Sequence, residues 1–202
     1  KDEPLINSNS SISIFKRDEI KILNQNHFQN IINYIPNLNF AGGTSRPRYF
    51  QIRGVGERSQ YFGEGSPNFS ISYTLDDIDL SGVGMIGGLN DIRQVEVSKG
   101  PQSTIFGNNA IGGSISLKTN EPTDSTTFLL HSEIGSDRLN NIAITANFKI
   151  FKQNYLRLNI QKHNQYGFRK NKFLNKNNTN KKDELFLKMK LNLAPFKSLN
   201  VN

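Results

Sequence analysis

Residues 93–119 read RQVEVSKGPQSTIFGNNAIGGSISLKT. The run begins and ends with short alternating segments, QVEVSKG and GSISLKT, which are typical of β-strands because every second side chain is apolar. Between them Gly100 and Pro101 break the first strand, and Pro101 suits the first position of a short helix. Further glycines allow the chain to turn tightly into the last strand. The stretch therefore predicts two strands joined by a compact, glycine-rich connection.

The sequence upstream predicts a small α+β domain over residues 10–120. SISIF alternates like a strand, and KRDEIKILNQN has a helical pattern. In NHFQNIINYIP the apolar residues from Phe28 to Ile35 fall at i, i+3, i+4 and i+7, which predicts a helix with Asn26 as its N-cap and Pro36 as its stop. Further strands are predicted at YFQIRG and SISYTLD, and the connecting loops are long enough to indicate function or disorder.

From about residue 124 the pattern changes to strand, turn, strand. The segments TTFLLHSEI, NIAITANFKI, YLRLNIQ and ELFLKMKLNL each have one apolar, uncharged face and one polar face. Segments of about ten residues with this alternation fit transmembrane barrel strands. A soluble β-sandwich gives the same period of two and remains the alternative.

The connections between these segments support the membrane interpretation. GSDR, FKQN and APFKS are short, whereas NQYGFRKNKFLNKNNTNKK is long and basic, and barrels have short turns on one rim and longer loops on the other. Four or five strands cannot close a barrel that holds another domain, and an open sheet would leave bare edges in lipid. A membrane barrel therefore implies that the chain is a fragment of a longer protein.

Composition excludes several classes of protein. The 202 residues include no Cys, so disulfides, thiolate metal sites and a cysteine nucleophile are absent. No run of 18 apolar residues is present, which excludes a transmembrane helix. The N-terminal KDEPLINSNS has no charged or apolar signal region, so we expect that any export signal has been removed or lies outside this chain.

Charge is distributed unevenly along the chain. Residues 1–148 carry 12 Lys and Arg against 15 Asp and Glu, whereas residues 149–202 carry 13 against 2. Such asymmetry indicates a segment that faces nucleic acid or a membrane, with ordinary solvated lysines as the simpler explanation.

Sequence motifs for catalysis and metal binding are weak or missing. SGVGMIGG (81–88) has the spacing G-x-G-x-x-G, but no long helix is predicted after it, as a dinucleotide-binding loop requires. No G-x-S-x-G, H-E-x-x-H or P-loop is present. His27, His131 and His163 share no metal-ligand spacing and are predicted as surface or lumen residues. Asp76, Asp77 and Asp79 could form a divalent-ion site, but turns after a strand routinely give the same run, so we expect no metal site.

The run at 93–119 resembles a signature of TonB-dependent outer-membrane receptors, whose plug domain ends with a sequence like EVLRGPxSxLYGxxAxGGxInixTK. Upstream, NIINYIPNLNF resembles the family segment LxxxPGVxv, FQIRGVG its IRG strand and YTLDDIDLSG its xxDGvpl strand. EIGSDRLNNIAI is similar to the first barrel hairpin. The resemblance covers nearly the whole chain in the right order.

The resemblance implies an α+β plug domain over 1–123, followed over 124–202 by the first four to five strands of an antiparallel transmembrane β-barrel of the 22-stranded class. The protein would lie in the Gram-negative outer membrane, with the plug inside the barrel. It would bind a scarce nutrient complex, such as a ferric siderophore or a similar metal chelate. A TonB-type partner would drive import by pulling an N-terminal TonB box, which is not recognisable in this sequence and would precede Lys1.

This mechanism needs no covalent chemistry and no cofactor, so the protein would not be an enzyme. The alternatives are a soluble β-rich binding domain, or a TonB-dependent importer of carbohydrate or cobalamin. A receptor that relays a signal would need a further N-terminal domain.

The resemblance also implies roles for individual residues. Arg53 and Lys99 match basic residues that contact acids of the barrel wall, and Glu96 matches the acid of the same strand; Lys99 departs from the usual Arg and lacks its bidentate fork. The apical loops would be GGTSRPRY (42–49), ERSQYFGEGSPN (57–68) and SGVGMIGG, whose glycines would form a tight, mobile tip. The residues predicted to touch substrate are Arg46, Arg48, Arg58, Gln60, Tyr61, Phe62, Ser81 and Met85. Their cationic and aromatic groups suit an anionic, planar chelate.

The long basic loop, from Arg169 to Lys182, is predicted to lie over lipopolysaccharide phosphates, with outer-membrane lipid below it. Nucleic acid is the rival partner for these lysines. It requires aromatic residues interleaved with the cations, and only Phe173 lies within the loop. We therefore expect no nucleic acid partner.

Overall fold

A computed structural model describes residues 11–23, 25–41, 49–57, 69–83, 88–102, 110–151 and 153–193. The chain divides into two compact units, Lys1–Thr119 and Asn120–Asn202. Within the described ranges, no helix combines the length and the hydropathy needed to cross a membrane.

The first unit is built on two sheets. Its strands are β1 (Ser11–Lys16), β2 (Leu38–Ala41), β3 (Tyr49–Ile52), β4 (Val55–Gly56), β5 (Ile71–Leu75), β6 (Ile78–Asp79), β7 (Ile92–Lys99) and β8 (Gly113–Thr119). The larger sheet has the order β1-β7-β8-β5-β6, and only its β5–β8 pair is parallel. The smaller sheet is the antiparallel set β2-β3-β4. The sequence predicted β1, β3, β5, β7 and β8; the short strands β2, β4 and β6 were not assigned separately.

One face of the larger sheet forms the hydrophobic core of this unit. Ile71, Tyr73, Val95, Val97 and Ile115 alternate along three neighbouring strands and are buried together, which is the burial that the period of two predicts. The other face carries small hydroxyl side chains, which are also buried: Ser72, Thr74, Ser98, Ser114 and Ser116.

The helices cover the core but are shorter than the sequence predicts. Helix α1 is Arg17–Ile22, and helix α2 is Phe28–Ile31, continued by a single 3-10 turn, Ile32–Tyr34. The chain becomes extended at Ile35, because Pro36 disfavours helical geometry in the residue before it.

The predicted N-cap of α2 is wrong. His27, not Asn26, takes this position: its Nδ1 accepts a hydrogen bond from the Gln29 backbone N–H at 3.2 Å. The ring is buried, and the His27 backbone forms a β-bridge with Gly88. The prediction that His27 lies on the surface or in a lumen is therefore also wrong; it is a buried cap.

The second unit is a four-stranded antiparallel meander, β9 (Thr127–Gly135), β10 (Leu139–Phe151), β11 (Asn154–Gln165) and β12 (Lys182–Asn192). Antiparallel pairing joins β9 to β10, β10 to β11 and β11 to β12, with one irregularity between Lys149 and Phe151 in the β10–β11 pair. All four strands lie where the alternation predicts them, and each of them is longer than any strand of the first unit. No closed barrel is formed by these four strands.

The two faces of this meander have the reverse of the usual polarity. Leu187 is 69% exposed, whereas Gln161 is 1% exposed. The same contrast holds on β10, where Ile150 is exposed and Asn147 is buried, and on β9 Leu130 and Ile134 are also exposed. Soluble proteins generally bury such apolar side chains and expose such polar ones.

Candidate functional site

The stems of the three predicted apical loops meet at one aromatic side chain of the first unit, Phe69. Its ring stacks on the Tyr49 ring, with 6.3 Å between centroids and 24° between planes. Tyr49 is the last residue of the predicted loop 42–49, and Phe69 directly follows the predicted loop 57–68. Gly82, the second residue of the predicted loop 81–88, lies so close that a Cβ placed on it would overlap the Phe69 ring. The fold therefore brings the three loop stems together.

The second of these loops is closed at its base by hydrogen bonds. Glu57 Oε1 accepts from the Ser70 backbone N–H at 2.8 Å and from the Ser70 hydroxyl. Gln51 Nε2 donates to the Glu57 carbonyl at 2.8 Å, and the Gly112 N–H donates to the Ser70 carbonyl at 2.8 Å. These contacts connect both ends of the loop to the two sheets.

The third stem explains the glycine motif as loop geometry. Gly82 has φ +74°, a conformation that favours glycine. After the motif, Asp91 lies in a turn and Ile92 begins β7, so no long helix follows to bind a phosphate. Ser81, a predicted substrate contact, uses its hydroxyl oxygen to accept a hydrogen bond from the Tyr73 N–H at 2.9 Å. Sequence alone gave no signal for that structural role.

Most of the predicted substrate contacts lie outside the described residues. They are Arg46, Arg48, Arg58, Gln60, Tyr61, Phe62 and Met85. The helix predicted after Pro101 likewise falls partly at 103–109, outside the described residues.

The second candidate region lies at the other end of β3 from Tyr49. Arg53 follows this strand in a turn with φ +52°, and its N–H donates to the Asn37 carbonyl at 2.9 Å. Lys99, the last residue of β7, is 9% exposed. Burial and then the nearby Arg53 guanidinium lower the pKa of the Lys99 ammonium.

This pair of cations lacks an anionic partner in the part of the chain that the structure describes. Glu96, three residues before Lys99, instead accepts a hydrogen bond from Gln94 Nε2. The structure thus brings Arg53 and Lys99 together but does not pair either of them with Glu96.

Asp76, Asp77 and Asp79 each make a hydrogen bond or an ion pair within the described fold. Asp76 accepts hydrogen bonds from the Thr119 N–H at 2.9 Å and the Thr119 hydroxyl, and Asp77 forms an ion pair with Lys118. Asp79 accepts from the Ser81 N–H at 2.9 Å. Among the described residues no three His, Asp or Glu side chains are close enough to hold a metal ion. The three carboxylates stabilise turns and strand ends.

The polar face of the second unit contains a network of amide side chains that sequence reasoning did not single out. Gln161 Nε2 donates to Asn141 Oδ1 at 2.9 Å, and Asn159 Nδ2 donates to Thr145 Oγ1 at 2.7 Å. Asn147 exchanges hydrogen bonds of 3.0 and 2.8 Å with the Thr123 backbone. The alternation of Asn and Gln with apolar residues along β10 and β11 was the sequence pattern that could have identified this network. Of the remaining histidines, His131 is exposed and His163 is buried on this face.

One protein-family model matches a long segment of the chain. Residues 4–114, more than half of the chain, match the family model described as "TonB-dependent Receptor Plug Domain". The chain is 30% identical over 93 residues to the pesticin receptor of Yersinia enterocolitica, covering 46% of the chain and 13% of that relative. It is 25% identical over 146 residues to the iron-regulated outer membrane virulence protein of Vibrio cholerae, covering 70% of the chain and 22% of that relative.

Solved structures share the fold. The ferric yersiniabactin uptake receptor FyuA from Yersinia pestis superposes with a TM-score of 0.71 at 20% identity, covering 84% of the chain and 26% of that structure. The siderophore receptor PiuA from Acinetobacter baumannii gives a TM-score of 0.68 at 19% identity, covering 84% of the chain and 23% of that structure. The chain thus spans about a quarter or less of each of these proteins, and none of their names describes an enzyme. By the family match over residues 4–114, the chain belongs to the TonB-dependent receptors of the outer membrane.

Proposed function

We propose that this chain is the plug and the start of the barrel of a receptor that imports a scarce nutrient complex across the outer membrane. A TonB-type protein would supply the energy. The observation that carries the proposal is the plug-family match over residues 4–114. Import of this kind binds and releases its substrate unchanged, so it requires neither a cofactor nor a catalytic residue.

A ferric chelate is the proposed substrate. Several relatives are named for such ligands: FyuA for ferric yersiniabactin, Fiu from E. coli for ferric catecholates and FpvA from Pseudomonas aeruginosa for pyoverdine. The cations and aromatic residues of the three loops suit an anionic, planar complex. A carbohydrate or cobalamin is the alternative cargo.

The three loops are the proposed binding surface. The described stems of the predicted loops 42–49, 57–68 and 81–88 support this, because Tyr49 and Gly82 both lie against the Phe69 ring. The binding residues would be those predicted from the sequence: Arg46, Arg48, Arg58, Gln60, Tyr61, Phe62, Ser81 and Met85. Ser81 would contribute its hydroxyl O–H or its second lone pair, because the Tyr73 N–H takes the first lone pair and the Ser81 N–H donates to Asp79.

The boundary of the plug is proposed at residue 123, with residues 124–202 as the first barrel strands of a 22-stranded protein. The exposed apolar face of the meander supports contact with outer-membrane lipid, and its amide-rich face suits a lumen. A soluble β-rich domain would bury the leucines of β12 instead.

Arg53, Glu96 and Lys99 are proposed to hold the plug in the barrel. Two neighbouring cations, one of them buried, are costly without a counter-charge. Carboxylates of the barrel wall would supply that charge, and Glu96 would add an acceptor on the same strand. The lowered pKa of Lys99 describes the cost that such a partner would relieve.

Uptake of ⁵⁵Fe by whole cells tests the proposed function. The full-length receptor would be expressed in an iron-limited Gram-negative strain that lacks its own receptors, and ferric catecholate, ferric yersiniabactin and ferripyoverdine would be supplied in turn. We expect uptake of at least one chelate, abolished when the TonB-type protein is deleted. Uptake of none of the three, together with TonB-dependent uptake of cobalamin or a carbohydrate, would identify the alternative cargo.

A loop variant refines this test. Replacing Arg46, Arg48 and Arg58 together by Gln should reduce chelate binding by at least tenfold, because charge-assisted contacts to an anion are lost. Arg93→Gln is the matched control, since Arg93 is exposed on β7 outside the loops. Equal binding by the triple variant and the control would exclude the three arginines from the site.

A further inference from the structure

The connection between β11 and β12, residues 166–181, is a folded hairpin. Asn171 and Lys176 exchange backbone hydrogen bonds of 2.8 and 3.2 Å. Nearer its base, the Arg169 carbonyl accepts from the N–H and the hydroxyl of Thr179, each at 3.1 Å. At the tip, Asn171 Oδ1 accepts from the Leu174 N–H at 2.9 Å. We call residues 166–181 the basic hairpin.

The basic hairpin exposes cations and apolar side chains side by side. Phe173 at its tip is 95% exposed and Leu174 is 55% exposed. The cations of the hairpin are Arg169, Lys170, Lys172, Lys176 and Lys181. The sequence has no Asp or Glu from Leu139 to Lys182, so no acid within the hairpin offsets this charge. Exposed apolar groups are unfavourable in water, and beside cations they are typical of a surface that binds an amphipathic anionic partner.

The base of the hairpin is fixed to one rim of the second unit. The Tyr166 N–H donates to the Asp137 carbonyl at 2.8 Å, in the short turn between β9 and β10. The Arg138 guanidinium carbon lies 4.9 Å from the Tyr166 ring centroid, and Lys181 Nζ lies 5.4 Å from it. The cations at the base are therefore held in place, and the tip projects from an ordered support.

The order of side chains along the sheet matches the layers of a membrane. The exposed apolar face reaches Ile160 on β11 and Leu185 on β12. The Lys162–Asp183 ion pair comes next, and the basic hairpin begins beyond it. Lipid phosphates occupy the layer just outside the hydrocarbon, where each nearby Lys or Arg gains about 1 kcal/mol from an anionic surface.

We propose that the basic hairpin is a docking surface for lipopolysaccharide, the phosphorylated glycolipid of the outer leaflet. Lys170, Lys172 and Lys176 bind its phosphate groups, while Phe173 and Leu174, which lie between these lysines at the tip, contact the sugar rings that carry the phosphates. This inference rests on the proposed barrel, which would place this rim at the outer surface. A single-stranded nucleic acid instead needs a groove with several stacking platforms, and Phe173 is at a projecting tip.

Binding of fluorescent lipopolysaccharide to the purified full-length receptor, in detergent and at several salt concentrations, tests this. The variant carries Lys170→Gln, Lys172→Gln and Lys176→Gln, and we expect its affinity to fall on the order of 100-fold with a weaker dependence on salt. Lys149→Gln is the matched control: it removes an exposed cation near the opposite end of β10 and should change affinity less than twofold. Phe173→Ser should lower affinity about tenfold, because an apolar contact is lost.

Two further ligands separate the sources of binding. Lipopolysaccharide stripped of its phosphates should bind the wild-type receptor as weakly as intact lipopolysaccharide binds the triple variant. A single-stranded oligonucleotide should bind more weakly than lipopolysaccharide. Wild-type affinity in the triple variant, or tighter binding of the oligonucleotide, would overturn the inference.

The readouts also separate this inference from the proposed function. Heat-modifiable migration on gels reports whether each variant is a folded barrel, and ⁵⁵Fe uptake reports transport. We expect the triple variant to fold and to transport its chelate as the wild type does. A folded, transporting receptor whose triple variant still binds lipopolysaccharide fully refutes the hairpin site alone, whereas a wild type that never reaches the outer membrane refutes the proposed function.

Discussion

Tyr73 carries a hydroxyl group into the centre of the first unit. Its ring stacks on Phe50 with centroids 5.7 Å apart and packs against Phe28 at the same distance. Among the described residues the hydroxyl has no hydrogen-bond partner, and burial raises its pKa. The ring contributes to the core, whereas its hydroxyl is a buried polar group that costs free energy.

Tyr73→Phe should therefore stabilise the first unit by about 1 kcal/mol, because it removes the unsatisfied hydroxyl and keeps the ring. Native-state hydrogen exchange of the β5 amides in the full-length receptor would measure the change. Tyr34→Phe is the control, since Tyr34 is half exposed and its hydroxyl can reach water. Faster exchange in Tyr73→Phe than in wild type would mean that the hydroxyl has a favourable partner.

Lys99 predicts a dependence of stability on pH. Its ordinary pKa is 10.5, and burial with the nearby Arg53 lowers it in the folded protein. Between the lowered pKa and 10.5 the unfolded chain binds the proton more strongly than the folded one, so the free energy of unfolding should rise with pH in that window. Lys99→Met should flatten this rise, measured by urea unfolding of the isolated 202-residue chain between pH 8 and 10.5; in the full receptor the proposed barrel-wall carboxylates would oppose it.

Arg53→Gln provides a second arm for the same measurement. Removing the guanidinium raises the pKa of Lys99 towards its ordinary value, so the rise in stability should begin at a higher pH and be smaller. If Lys99→Met unfolds with the same pH profile as the wild type, the folded protein does not perturb this ammonium.

At the scale of elements, the strands were predictable wherever alternation ran for several residues. β7 and β8 followed from QVEVSKG and GSISLKT, and the meander followed from four longer segments. β2 was not predictable in this way, because LNFA is short and becomes a strand only when β3 pairs with it. The cap of α2 was missed because Asn is the commoner N-cap, whereas the bridge between His27 and Gly88 places the imidazole there.

The segments of the candidate site could be identified from the sequence, but their proximity in the fold could not. Cations, aromatic residues and glycines identified the segments, since these types suit an anionic ligand or a tight turn. The stems of these segments come together at Phe69, whose contacts with Tyr49 and Gly82 join residues distant in sequence. Likewise, no local sequence pattern predicts that Arg53 and Lys99 are near each other, because they follow or end strands of different sheets, β3 and β7.

The third loop stem gives a prediction at this scale. Gly82→Ala should destabilise the first unit more than Gly54→Ala, although the two glycines have similar φ values of +74° and +81°. An added Cβ at Gly54 meets no described atom within 4 Å, whereas at Gly82 it would overlap the Phe69 ring. Both variants carry the cost of a left-handed conformation, and only Gly82→Ala adds about 1–3 kcal/mol of overpacking.

Hydrogen exchange of the amides near Tyr49 and Phe69 would measure the difference between these two glycine variants. It should be faster in both variants than in the wild type, and faster in Gly82→Ala than in Gly54→Ala. Equal changes in both variants would mean that backbone strain alone is responsible and that the Phe69 ring can move aside.

At the scale of the whole chain, the two units follow opposite rules. The first unit buries Phe28, Ile31 and Val95 as a water-soluble domain does. The second exposes its leucines and isoleucines and pairs its polar groups with one another, as in the Gln161–Asn141 contact. The reversal begins with the meander, and it is the arrangement that a sheet with lipid on one face and a polar lumen on the other requires.

Two substitutions, one on β12 and one just beyond its end, test that arrangement because they would lie at different depths in a membrane. In a bilayer, Leu187→Lys near the middle of the strand should cost about 2–4 kcal/mol, whereas Leu193→Lys just beyond its end should cost about 0–1 kcal/mol. Both side chains are exposed, so in water neither change would matter much. Urea unfolding of the full-length receptor in lipid would measure both costs. If the two variants are equally stable, the apolar face is not in hydrocarbon, because only a membrane makes the cost depend on position along the strand.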